Sequence, residues 1–206
     1  MTTRALPVRA LPKDVYADSR CRLPLPKRED LDAVGQKIFD HHIDPNGGSI
    51  KGLNGPGGIR LHSPRLSAAL APTGLYLRRE ADFSGPIREL IILMAARGMD
   101  SAFEWAAHEP EALKEGVSRE TIDAIKFRKP LDGLDPVDAI IIQLGREAFG
   151  ARKVSSETYA KAHKQFGTRG LIDLVALMGN YTATAALLTV FDMQLDEGET
   201  HILPLP

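Results

Sequence analysis

The stretch Gly85-Pro-Ile-Arg88-Glu89-Leu-Ile-Ile-Leu-Met-Ala-Ala-Arg-Gly98, followed by Met99-Asp-Ser101-Ala-Phe-Glu104-Trp105-Ala-Ala-His108, decides the fold. Its first half is apolar on nearly every side of a 3.6-residue spiral. Such a helix is buried centrally or lies at a subunit contact. Gly85-Pro86 marks its start, because a proline in the first turn lacks only an N–H that would have no helical partner. A short turn around Gly98-Met99-Asp100 then folds the chain back into a second helix. On that helix Glu104 and His108 stand four apart and share a face. Glu89 lies within the apolar helix, where an unpaired carboxylate would either hold its proton or destabilise the fold. His108 and Arg88 are its expected partners.

Outward from this hairpin the punctuation stays helical. Ser63-Pro64 supplies a cap and a first-turn proline, Ser118 opens another helix, and Asp135-Pro136 opens one that Gly150 closes. A short helix is expected from Ser155 or Ser156 to Gly167, and a long apolar one from about Gly170 to Phe191. The apolar stripe Leu31, Val34, Ile38 and Phe39 predicts a first helix over about Lys27 to Asp40. No alternating strand pattern of useful length occurs, so the class is all-α. Residues 1–26, with Pro7, Pro12, Pro24 and Pro26 among charges, read as an extended arm ahead of a single helical domain over 27–206. Between them and the hairpin, His41 to Leu61 is rich in glycine and is expected to be a long irregular loop. It is no phosphate loop: Gly47 and Gly52 have the spacing, but Leu53-Asn54 stand where lysine and a hydroxyl residue belong.

Composition excludes several functions. With 26 Lys and Arg against 27 Asp and Glu, the net charge of -1 gives no electrostatic footing for nucleic acid. The single cysteine, Cys21, excludes an intramolecular disulfide and a thiol-pair redox cycle within one chain. No apolar run approaches ~18 residues without polar interruption, and residues 1–12 carry no signal-type apolar core. The expectation is a cytoplasmic protein without membrane contact.

Glu89, Glu104 and His108 are the candidate acid–base residues, since a carboxyl and an imidazole held together suit proton transfer near neutral pH. Without further context, a Glu–His pair at this spacing is more often an exposed helix pair worth a few tenths of a kcal/mol. Trp105 is a core residue or a substrate platform, and Arg88 is a carboxylate anchor or a structural ion pair. Asn54 and His62 flank the end of the glycine-rich loop, where they line a pocket or serve as a turn and a helix start. Asn180 and Tyr181 interrupt an apolar helix and need hydrogen-bond partners if buried. His62 or the His41-His42 pair could add metal ligands, yet no HExxH or comparable spacing occurs, so no metal is expected.

Arg88-Glu89-Leu90, Glu104-Trp105-x-x-His108, Gly116-Val117-Ser118 and Gly179-Asn180-Tyr181, in this order, resemble the carboxymuconolactone decarboxylase and AhpD-like superfamily over roughly residues 60–195. The resemblance implies an AhpD-like helical bundle that assembles into homo-oligomers, trimers or hexamers, with active sites near subunit contacts. The redox branch of that superfamily carries Glu-x11-Cys-x-x-Cys-x3-His. Here the register runs Glu89, Ser101, Glu104, His108, so both thiols are replaced and peroxide reduction loses its electron source. What remains resembles the decarboxylase branch, which acts on 4-carboxymuconolactone in aromatic catabolism without a cofactor. By that resemblance His108 held by Glu89 donates the proton, Glu104 orients His108 or repels the substrate carboxylate, and Arg88, Trp105, Asn54, His62 and Tyr181 contact a small carboxylate or lactone. Lactone hydrolysis, isomerisation, other lyase chemistry and a catalytically silent ligand-binding oligomer are the alternatives.

Overall fold

A computed structural model describes residues 10–45 and 50–205. Those residues are all-helical: no strand occurs among them. The N-terminal part of the expected arm (residues 1–9) and part of the glycine-rich loop (residues 46–49, with Gly47) lie outside the described residues.

The chain divides into two compact units. The first comprises the chain up to Leu75 together with Ala186–Thr200. It holds α1 (Ala33–Ile43), α2 (Pro56–Leu61) and α3 (Pro64–Leu75), which pack on one another. The helix expected from Lys27 starts later. Arg28–Asp30 form a single 3₁₀ turn, and Asp32 caps α1 by accepting from the Gly35 N–H at 2.8 Å. Helix also occupies both ends of the expected loop, since α1 runs to Ile43 and α2 begins at Pro56.

The second half of the expected arm is tied into this unit. The Arg22 N–H donates to Phe191 O at 2.8 Å, the Gln194 N–H donates to Arg20 O at 2.9 Å, and Ser19 and Cys21 are buried. The prolines that exclude helix here leave the backbone free to pair with another extended segment.

Gly58 is the tightest backbone position of the unit. A Cβ there would stand 2.1 Å from the Leu53 carbonyl oxygen, a backbone atom that cannot swing away. Gly58→Ala is therefore expected to lower stability by about 2–4 kcal/mol, read from urea denaturation, because the chain must shift to relieve the clash. An unchanged midpoint would show that Leu53 moves freely.

The second unit comprises Tyr76–Ala185 and the chain from His201 on. It holds α4 (Gly85–Gly98), α5 (Ala102–Glu115), α6 (Arg119–Lys126), α7 (Pro136–Arg146) and most of α8 (Ser156–Val190). Leu90 to Ala96 of α4 are all buried, and α4 packs on α5, α6 and α7, as its all-round apolarity requires. Leu174, Leu177, Met178 and Tyr181 of α8 join the same core.

The expected helix starts at Ser118 and Asp135 are present. The Ser118 side chain accepts from the Thr121 N–H at 3.0 Å, and that of Asp135 accepts from the Val137 N–H at 2.8 Å. After α7, Glu147–Ala151 make a π turn. The break expected between Gly167 and Gly170 is a kink: Gly167 takes φ 66° and ψ -179°, and helix resumes beyond it. The turn joining α4 to α5 closes α4 as a Schellman-type cap. Asp100 adopts φ 48°, and the Ser101 N–H reaches back to Ala96 O at 2.8 Å.

Candidate functional site

That tight turn brings Glu89 of α4 against His108 of α5. Imidazole Nδ1 lies 2.8 Å from Glu89 Oε2, and both side chains are more than nine-tenths buried. A carboxylate oxygen accepts, so the ring hydrogen at this contact sits on Nδ1. Glu104, one helical turn before His108, sets its Oε2 3.6 Å from Nε2. The imidazole thus has a carboxyl group at each nitrogen, both delivered by helices. Tyr181 of α8 completes the surroundings, its ring edge-to-face with the imidazole at 87° and 5.1 Å between centroids.

Arg88 lies over the pair. Its Nε is 3.5 Å from Glu89 Oε1, its Nη2 is 3.6 Å from Glu115 Oε1, and Nη1 donates to Arg78 O at 3.5 Å. The guanidinium is therefore shared among acceptors of the protein itself, the arrangement of a structural ion pair. No family model and no curated protein matches the chain. The site's reading rests on its own geometry.

Trp105 is placed elsewhere. It is fully buried in the core of the second unit, and its indole N–H donates to Glu109 Oε2 at 2.6 Å. Adjoining faces of α5 thus make different contacts, His108 meeting Glu89 and Trp105 meeting Glu109. Glu109 was not singled out in the sequence. It is 1% exposed and collects Arg119 Nη1 at 2.9 Å, Lys126 Nζ at 2.8 Å and His201 Nδ1 at 3.5 Å besides the indole. Burial pushes its carboxyl pKa up, but the hydrogen bonds from Lys126 and Trp105 and the nearby charges outweigh that and hold it below the ordinary value. Lys126 and Trp105 are also in cation–π range at 5.7 Å.

Asn54 and His62 belong to the first unit. Asn54 is exposed, with its N–H bonded to Lys51 O at 3.0 Å, and His62 is exposed with Nε2 3.0 Å from Pro24 O. These contacts are those of a turn and a helix end. His41 and His42 lie in the same unit with ring centroids 6.0 Å apart, and burial pushes the His42 pKa down. Among the described residues no group of three or more His, Cys, Asp or Glu is arranged to hold a metal ion.

A surface groove of about 490 Å³ lies away from the imidazole, between α7 and the start of α8, lined among others by Ile140, Gln143, Glu147 and Lys161. Its size alone does not make it the site. Glu147 is saturated by Gln143, the Ser155 N–H and Thr158, which hold its pKa down to about 2. Glu157 and Lys161 pair with each other at 2.7 Å. These groups fasten a helix junction.

Proposed function

We propose that the chain is a cofactor-independent lyase of the carboxymuconolactone decarboxylase type, in an AhpD-like bundle, acting on a small carboxylated lactone or related ring acid. The observation that carries this is the buried Glu89–His108 contact at 2.8 Å with Glu104 on the opposite imidazole nitrogen. A histidine fixed at one nitrogen and facing an acid at the other is built to move one proton.

In the proposed reaction the bond between the ring carbon and the substrate carboxylate breaks, and carbon dioxide leaves. The electron pair spreads into the conjugated lactone carbonyl as a dienolate. His108 delivers a proton from Nε2 to carbon, and water restores it. Glu89 keeps the ring in register and offsets the charge of the imidazolium. Glu104 orients Nε2 and repels the substrate carboxylate, which favours its loss. Arg88 serves as a cover for Glu89 rather than as the substrate's anchor, since its guanidinium is already engaged.

The test is to incubate the purified full chain with 4-carboxymuconolactone and a panel of lactone acids and 3-oxo acids and to follow carbon dioxide release. Release at enzymatic rates without added cofactor is expected. No release from any member would overturn the decarboxylase reading.

The remaining parts of the reading are a homo-oligomer, trimer or hexamer, in the cytoplasm. Supporting assembly, α8 exposes Ile172 and Val175, and next to them Ala176, Gly179 and Ala183 are also exposed. Small residues at helical spacing let another helix approach closely. This helix is also long and apolar enough to cross a membrane by length and composition, and half of its apolar window is buried inside the protein. Ile172→Glu is expected to shift the mass seen by light scattering to that of a monomer while circular dichroism stays helical. A wild-type chain that is already monomeric would remove the assembly. The same exposed face favours, as a second reading, a catalytically silent oligomer that binds a small acid. It predicts ligand-induced stabilisation without turnover.

A further inference from the structure

Glu89 and Glu104 flank the imidazole of His108, so an acidic substrate arrives against two carboxyl groups and needs a cation to hold it. Arg88 is already shared among Glu89, Glu115 and the Arg78 carbonyl. Arg78 is differently placed. It is exposed, and its guanidinium makes no hydrogen bond or ion pair with the described residues. Its backbone, by contrast, is pinned within a π turn, Tyr76–Glu80. Leu77 is buried in the core that also holds Tyr181, and the Tyr76 hydroxyl donates to Asp173 Oδ2 of α8 at 2.9 Å. The Arg78 carbonyl accepts from Arg88 Nη1 at 3.5 Å, and Arg88 Nε lies 3.5 Å from the Glu89 carboxylate that holds His108. A fixed backbone thus carries an uncommitted guanidinium at the edge of the acid–base site. We propose that Arg78 is the substrate anchor of this site, its planar fork binding an acid group that stays on the substrate through the reaction.

The electrostatics agree with that placement. Burial pushes the Tyr181 phenol pKa up, and among the surrounding charges Arg78 acts on it most strongly, ahead of Glu104, Glu89 and Arg88. Tyr181 is the residue whose ring packs edge-on against His108, so the Arg78 charge is felt beside the imidazole. The chemistry then selects the group that Arg78 holds. A guanidinium on the departing carboxylate would favour the bound substrate over the transition state, in which that charge is being lost, and would slow the reaction. An anchor on a second acid keeps its grip unchanged and leaves the departing carboxylate to Glu104. 4-Carboxymuconolactone has both groups, one on the ring carbon that loses carbon dioxide and one on a side arm that remains. The inference rests on the proposed lyase reading for the site and the reaction, and adds the residue that selects among its acids.

The test compares wild type, Arg78→Gln and Arg78→Lys as full chains. The calorimetric probe is 5-oxotetrahydrofuran-2-acetate, a saturated lactone with only the side-arm acid, and its methyl ester is the uncharged control. Wild type is expected to bind the acid about 10-fold or more tightly than the ester. Arg78→Gln should lose that preference with ester affinity and urea midpoint unchanged, and Arg78→Lys should keep part of it. With 4-carboxymuconolactone, Arg78→Gln should raise KM about 10-fold while kcat changes far less. A wild type that binds neither probe or shows no preference for the acid would overturn the proposal, as would an equal preference in Arg78→Gln. A lowered urea midpoint with parallel loss of both ligands would also overturn it, by showing a structural role. An acid preference that Arg78→Gln abolishes, without carbon dioxide release from 4-carboxymuconolactone, would sink the decarboxylase reading while upholding the anchor.

Discussion

Replacing Glu109 by alanine is expected to cost about 1–3 kcal/mol of stability, because the buried indole N–H of Trp105 and the partly buried Lys126 lose their acceptor. Glu109 is 1% exposed and receives the Trp105 indole together with Lys126 and Arg119. Removing it leaves the Lys126 ammonium, itself 13% exposed, facing an apolar indole with no counter-charge. It also releases His201, which anchors the C-terminal segment beside the buried Leu203. Urea denaturation of the variant measures this, and a loss under about 1 kcal/mol would mean that water reaches the site in the wild type.

The same residue sets a pH dependence. Its folded pKa lies below the ordinary 4.5, so its contribution is fully present above that value. It is lost as pH falls from there through the lower folded value. Acid unfolding of the Glu109→Gln variant should therefore be shallower across that window than that of wild type.

The second large effect concerns the proposed chemistry. His108→Ala is expected to lower turnover by about 10²–10⁴-fold, the range for removing a positioned general acid. Glu89→Gln should also lower it, because an amide at Nδ1 can hold the wrong tautomer and cannot offset the imidazolium. The double variant should be no slower than His108→Ala alone, since Glu89 acts through the imidazole it holds. Steady-state rates of the four proteins give the answer. Additive losses would mean that Glu89 touches the substrate on its own account.

How much of this was legible in the sequence follows from the range of the interactions. The Glu89–His108 contact could be read because two helices and a three-residue turn fix it locally, and a carboxylate in an apolar helix announces a need. Ser118 and Asp135 were legible for the same reason, their side chains bonding N–H groups two or three residues on. Tyr181 stood out as a polar break in an apolar run, but its meeting with His108 crosses 73 positions, from 181 back to 108, and no local pattern encodes it.

Glu109 was passed over for a similar reason. Trp105 is its neighbour on the helix, while Arg119 and Lys126 come from α6 and His201 from near the C-terminus. With that partner set invisible, Trp105 kept two readings until its indole was seen committed to Glu109. Gly167 was read as a helix end because glycine tolerates positive φ. The chain used that freedom to bend and then continue, since Leu171, Leu174 and Leu177 beyond it are buried.

The most direct test of the central claim is turnover of 4-carboxymuconolactone in deuterated water, followed by NMR, with wild type and His108→Ala side by side. The account predicts that wild type releases carbon dioxide and places one deuteron on the substrate carbon, and that the variant does neither at a measurable rate. Equal release and equal deuterium uptake by His108→Ala would contradict it, because the buried imidazole would then carry no proton to the product.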